Sequence, residues 1–161
     1  MKELHIYTDG SHLDKLNNGR LGCGGILVDS GKQVDTFGIE LEPGYMREKF
    51  GYDTCSNPSA ELLAVYFALC SFRTKIRRIK PDKIVFHADY LGVKNWMEGT
   101  WNIKEKHIGK IKGLVDNELR MQKLTDKVSF EWVKGHQTFI KPGTDAYWNN
   151  KVDKLAKGER I

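Results

Sequence analysis

The stretch Lys83-Ile84-Val85-Phe86-His87-Ala88-Asp89 decides the fold class. A compact apolar run centred on Ile, Val and Phe and halted at a carboxylate predicts a buried strand over Lys83–Ala88. A helix precedes it. Asn57-Pro58 supplies a cap and a proline at the first helical position. Ala60, Leu63, Ala64, Phe67 and Ala68 then recur at i, i+3, i+4, i+7 and i+8, the stripe of a core-facing helix expected to end near Arg73–Arg78. Upstream, Leu4–Thr8, Cys23–Asp29 and Gln33–Leu41 read as three strands of an antiparallel meander. The first is stopped by Asp9, Gly10 and Ser11, and the other two are joined at Ser30–Gly31. Residues 12–21 are polar and residues 43–56 aperiodic, so both are expected as loops. Downstream, helices are expected over Leu91–Met97 and from about Ile108 to Leu124, with Ile111, Leu114, Val115 and Leu119 inward. Val128, Phe130 and Trp132 alternate with Ser129 and Glu131, which predicts a strand over Val128–Lys134, and a last helix covers Trp148–Lys157. Strands and helices mixed without strict alternation imply an α/β fold, a mixed sheet covered by helices.

The chain of 161 residues suits one domain, residues 1–161. Its hydrophobic share of 40% is enough for a real core and excludes a disordered chain. The net charge of +5 suits a polyanionic partner without identifying one. Cys23, Cys55 and Cys70 form no Cys-x-x-Cys pair and are odd in number, so they read as small buried hydrophobes in a reducing compartment. The N-terminus lacks a signal-peptide core, and no apolar run approaches the roughly 20 residues of a membrane span. The expectation is a cytoplasmic monomer with no membrane and no obligate protein partner.

Four carboxylates stand where chemistry is a sharper reading than solvation. Asp9 and Asp89 end the first and fourth strands, and parallel pairing of those strands brings both to one edge of the sheet. Glu61 lies in the first turn of an Ala/Leu-rich helix, and Asp153 beside the apolar stripe of the last one. Singly, each has an ordinary structural explanation: a turn former, a favourable charge at a helix N-terminus, a solvated side chain. Clustered, they would repel unless a cation lay among them, and an all-oxygen ligand set favours Mg²⁺ or Mn²⁺ over zinc. Two such ions about 4 Å apart are a recurring device for phosphodiester hydrolysis. Among the histidines, His5 and His87 lie inside strands and His12 and His107 are isolated. His136, in Gly135-His136-Gln137 at a strand exit, has the loop position of a mobile proton carrier.

These residues resemble the ribonuclease H family, type 1. Thr8-Asp9-Gly10-Ser11 is similar to its first motif and Asn57-Pro58-Ser59-Ala60-Glu61 to its helix-borne Glu motif. His87-Ala88-Asp89 is similar to its strand-ending Asp motif and Trp132-Val133-Lys134-Gly135-His136 to its loop His motif. The run from Asn149 to Ala156 resembles Asn-x-x-x-Asp-x-Leu-Ala. Each motif is weak alone; the ordered set, spanning residues 4 to 157, is specific. The resemblance implies a five-stranded mixed sheet with three antiparallel strands plus parallel strands. It also implies cleavage of the RNA strand of RNA–DNA hybrids by two Mg²⁺ ions, with Mn²⁺ able to substitute, leaving 5′-phosphate and 3′-hydroxyl ends. Asp9, Glu61, Asp89 and Asp153 become metal ligands and His136 the proton shuttle or product-release aid.

The departures concern substrate contact. Tyr90 and Leu91 stand where a Ser–Gln pair often follows the third acid, and Ser59 where an Arg often stands two before the Glu. The basic protrusion is cut down to about Thr100–Lys106, and the loops at 43–56 and 137–148 look long. Asn57, Ser59, Trp101, Lys104 and Asn149 are the candidate substrate-binding residues. Trp148 and Tyr147 compete between substrate contact and packing of the last helix. Two other readings share part of this pattern: a related nuclease acting on another nucleic acid, as in resolvases and integrases, and a hybrid-binding module with a dead site. The Gly-His loop and the full set of acids favour the ribonuclease.

Overall fold

The computed structural model describes residues 1–13, 20–42, 44–51, 56–135, 137–138 and 140–161. The elements are β1 (Glu3–His12), β2 (Leu21–Asp29), β3 (Lys32–Leu41), α1 (Tyr45–Phe50), α2 (Asn57–Ser71), α3 (Arg73–Ile79), β4 (Lys83–Ala88), α4 (Leu91–Met97), α5 (Lys106–Met121), β5 (Val128–Trp132) and α6 (Asp145–Ala156). The five strands form one mixed sheet in the order β3-β2-β1-β4-β5. β1 pairs antiparallel with β2 and β2 with β3, whereas β4 runs parallel to both β1 and β5. The α/β expectation with three antiparallel strands plus parallel ones is therefore met.

Alternation along β1 sorts its side chains between two faces, as period 2 requires. Leu4 and Ile6 join the core cluster that contains Val65, Leu69 and Phe72 of the α2 region and Val115 and Leu119 of α5. Tyr7 joins the opposite cluster, with Ile26, Val28 and the α6 residues Trp148 and Val152. α2 is buried continuously from Ser59 to Val65, and burial of side chains such as Leu62 and Leu63 contributes about 1.5–3 kcal/mol each. Trp148 is thus a core residue, 6% exposed and tilted against Tyr7, so its share in packing is met.

Several boundaries move. β1 continues through Asp9, Gly10 and Ser11 to His12, because β2 offers partners the whole way, Gly10 opposite Cys23 and His12 opposite Leu21. Asp9 is accordingly inside the strand. The expected loop 43–56 contains α1, a six-residue helix bounded by Gly44 and Gly51, both left-handed, which buries Met46 and Phe50. Ser56, not Asn57, caps α2: its hydroxyl accepts from the Ser59 N–H. The helix expected to reach Arg73–Arg78 breaks at Phe72 into α2 and α3. β5 stops at Trp132, which is 49% exposed, and α6 begins three residues early, at Asp145, where Thr144 caps it. Of the cysteines, Cys23 is buried and Cys70 half-buried, both as free thiols; Cys55 lies outside the described residues.

His5 and His87 have a structural role. The His87 ring lies between Tyr7 (centroids 4.4 Å apart) and His5 (5.1 Å), with His5 Nδ1 2.8 Å from His87 Nε2. Burial holds the His87 imidazolium down to about 4 from the usual 6.5, the nearby Asp145 carboxylate opposing that shift. A base with a depressed folded pKa binds fewer protons folded than unfolded. Its neutral form therefore supports stability above about pH 6.5, and that support is lost as pH falls towards 4. The full loss is roughly 3 kcal/mol. Urea midpoints between pH 7 and 4 should fall less for His87→Phe than for the parent chain.

Candidate active site

Asp9, Glu61 and Asp89 arrive from three elements. Asp9 is carried by the central strand, and Asp89 follows β4, whose His87 is paired with Tyr7, so both acids lie at the same edge of the sheet. Glu61 comes from the first turns of α2, pressed onto β1 at Gly10. A Cβ on Gly10 would lie 2.1 Å from the Ala60 carbonyl carbon and 2.3 Å from the Glu61 nitrogen. Only glycine lets the helix backbone come so near the strand. The three residues offer carboxylate oxygens within 4.8 Å of one another.

Asp9 is 3% and Glu61 6% exposed. Burial, followed for Asp9 by the charge of Glu61, holds both carboxyls well above the usual carboxylate range. Asp9 Oδ1 accepts from the Gly10 N–H at 3.0 Å, while Glu61 Oε2 is buried and finds no hydrogen-bond partner among the described residues. A set of buried oxygens, one of them unpartnered, at mutual distances that suit ligands of one ion fits a hard divalent cation. Asp153 lies close enough to Asp9 to add to the rise of its pKa, and it forms an ion pair with Lys157 at 3.0 Å, one turn along α6. It stands beside the three-carboxylate group rather than within it. Lys157 was not singled out from the sequence, although the i, i+4 spacing of Asp153 and Lys157 was there to read.

Asp153 approaches because α6 rests on a glycine floor. Cβ atoms on Gly22 and Gly24 of β2 would lie 1.8 Å from the Ala156 carbonyl oxygen and 2.8 Å from its nitrogen. Asp89, Asn149 and Asp153 together line a crevice of about 40 Å³ with Lys134 and Gln137. Gly135 faces Asp89, its virtual Cβ 3.2 Å from Oδ2. His136 lies outside the described residues.

The remaining candidates divide. Asn57 is exposed, and its Oδ1 accepts from the His12 N–H at 2.8 Å, which ties the start of α2 to the end of β1. Ser59 is fully buried, with its hydroxyl 3.0 Å from that of Ser56, and belongs to the helix cap. Asn149 is buried at the crevice. Trp101, 42% exposed, and Lys104 line a groove of about 460 Å³ floored by Trp96, Ile103 and Ile108, away from the acids in the chain but on the segment after α4. Tyr90, at the position after the third acid, lies over Gly92, where a Cβ would meet its ring at 2.2 Å, and packs 5.6 Å from Trp96.

The ribonuclease H family model matches residues 1–160. A ribonuclease H of Ralstonia nicotianae is 29% identical over 168 residues, covering 100% of this chain and 94% of its own. One of Pseudoalteromonas atlantica is 30% identical over 140 residues, covering 84% and 80%. A ribonuclease H1 isolated from compost, solved in complex with an RNA/DNA hybrid, superposes with a TM-score of 0.73 at 16% identity, covering 97% of this chain and 95% of that one. The mixed sheet, the acids gathered at one edge of it and a match that runs almost from end to end agree: this chain belongs to the ribonuclease H family.

Proposed function

We propose that the protein is an endonuclease that hydrolyses the RNA strand of RNA–DNA hybrids, leaving 5′-phosphate and 3′-hydroxyl ends. The observation that carries this reading is the convergence of Asp9, Glu61 and Asp89 within 4.8 Å at one sheet edge of a chain that the ribonuclease H model spans. Asp9, Glu61, Asp89 and Asp153 are the residues that would hold Mg²⁺, two ions in the full site, with Mn²⁺ able to substitute. When bound, such ions supply an activated water and stabilise charge on the phosphate and the leaving oxygen.

The chain's own residues prepare for this. Gly10 fixes the distance between Asp9 and Glu61, and burial keeps water from screening their charge. Lys157 offsets the charge of Asp153. His136, assigned by its place in the Gly-His sequence, would carry a proton to or from the reacting oxygens. Asn57 keeps its exposed amide N–H₂ as a donor while its oxygen is engaged by His12, which suits a 2′-hydroxyl that can accept. Single-domain, monomeric action belongs to the same proposal, and no helix among the described residues is long and apolar enough to cross a membrane.

Uniformly labelled RNA–DNA hybrid, duplex DNA and duplex RNA, each incubated with Mg²⁺ and resolved on a gel, test the reading. Internal cuts confined to the RNA of the hybrid are expected; cleavage of either homoduplex at the same rate would replace it with another nuclease of the same fold. The Trp101–Lys104 segment is proposed to contact the hybrid. An exposed aromatic edge 6.3 Å from Trp96 offers a surface for sugars, and Lys104 offers one phosphate contact. Trp101→Ala with Lys104→Ala should raise KM for hybrid several-fold and leave kcat nearly unchanged, as loss of uniform binding does. The salt dependence of binding should become shallower by about one phosphate contact.

A further inference from the structure

At the opposite edge of the sheet from the acids, a cavity of about 630 Å³ opens between α3, the end of α5 and the starts of β4 and β5. Five cations line it: Arg73, Arg77, Lys80, Lys123 and Lys127. Its one carboxylate among the described residues, Glu118, is already engaged by the Arg73 guanidinium and the Gln122 amide. The six residues of β4, Lys83–Ala88, separate this cavity from the acid cluster by about 20 Å of strand. A duplex held on the acids therefore lies at the other end of the sheet.

Cations near helix C-termini offset the negative end of the helix dipole, which accounts for part of this charge. The amounts do not match. Two helix ends present about −0.5 each, roughly −1 together, against a net lining of 5 − 1 = +4. Backbone geometry supplies an independent sign. Lys80 and Lys123 have φ of 55° and 59°, and with Ser30 they are the non-glycine residues with positive φ among those described. Lys80 is the C-cap of α3, a position where glycine is preferred and a lysine is strained by about 1 kcal/mol or more. Both strained lysines line the same cavity. Apolar surface from Ile76, Pro81, Leu124 and the 71% exposed Met121 completes the wall.

We infer that this cavity is a binding site for a nucleoside di- or triphosphate, the phosphates held by Lys80, Lys123 and the neighbouring cations and the base laid on the apolar wall. The volume lies within the range of small-ligand sites. Arginine and lysine together suit a chain of phosphates, the former by forked hydrogen bonds and the latter as point charges. This site is independent of hybrid cleavage.

The test is calorimetric titration of ATP into the metal-free protein at low salt, beside inorganic tripolyphosphate. Saturable one-to-one binding is expected, with ATP at least fivefold tighter than tripolyphosphate. Lys80→Gly with Lys123→Gly should weaken ATP at least tenfold while the melting temperature holds or rises, since glycine relieves the strained backbone. Hybrid cleavage by that variant should keep its parent KM. No saturable heat, or equal ATP affinity in the double variant, overturns the site. Equal affinity for tripolyphosphate overturns the nucleotide assignment, and a raised KM for hybrid would assign these cations to the cleavage substrate instead.

Discussion

Replacement of Asp9 by Asn should reduce hybrid cleavage by about 10³-fold or more and, in metal-free buffer, leave the protein as stable as before or more so. The loss follows because a bound ion supplies several kcal/mol of transition-state stabilisation, and about 1.4 kcal/mol is a factor of ten. The stability half follows from the carboxyls themselves. Burial and then the charge of Glu61 raise the Asp9 pKa in the folded chain. A folded acid with a raised pKa binds more protons than the unfolded one, so stability falls as pH rises from about 4. Asparagine has the same shape and no such titration. The melting temperature of Asp9→Asn should therefore exceed that of the parent at pH 7, with the gap closing near pH 4. Added Mg²⁺ should raise the parent and hardly move the variant. A variant that melts well below the parent at pH 7 in metal-free buffer would show that Asp9 is structural first.

Gly10→Ala is expected to damage both fold and activity. The new methyl would meet main-chain atoms of Ala60 and Glu61 at 2.1–2.4 Å, and no side-chain rotation relieves a clash with a helix backbone. Overpacking of a core costs about 1–3 kcal/mol where side chains can shift, so here about 3 kcal/mol or more is expected. For a chain of this length that is a drop on the order of 10 °C. The surviving folded protein carries Glu61 displaced from Asp9, so kcat and metal affinity should fall together. Gly113→Ala is the control. Gly113 lies in α5 with open space where its Cβ would be, and alanine there should add up to about 1 kcal/mol. Equal thermal stability of the two variants would remove the argument that Gly10 spaces the site.

Much of this was legible along the chain. Strand alternation, the α2 stripe and the β-branched run at Lys83–Ala88 carry their burial in their own spacing, so their place in a mixed sheet followed. The motif order singled out Asp9, Glu61 and Asp89, which the fold gathers, before any geometry. What stayed hidden depends on neighbours far along the chain. Asp9-Gly10-Ser11 has turn composition, yet β2 supplies backbone partners and the strand runs on. α1 is too short to show a helical period, and its existence rests on burying Met46 and Phe50 in the cluster of α2 and α5. Ser56 and Asn57 are both good caps, and local sequence does not rank them. The closeness of Gly10 to Glu61, and of Gly22 and Gly24 to Ala156, is a fact of packing that a glycine alone does not announce.

The position of β1 also bears on how the chain is made. Glu3 pairs with Lys83, 83 − 3 = 80 residues apart, whereas the β1–β2–β3 meander closes within the first 41. During synthesis the meander is complete while one side of β1 still lacks the strand that will cover it. From Leu41 to Lys83 is 83 − 41 = 42 residues, which at about 5–20 residues per second is roughly 2–8 s. Throughout that interval a nascent chain presents an apolar strand with unpaired backbone groups, a template for pairing with another chain. Delay or arrest of translation within this window exposes the nascent chain to aggregation, and a fragment ending before β4 should associate where the full chain does not.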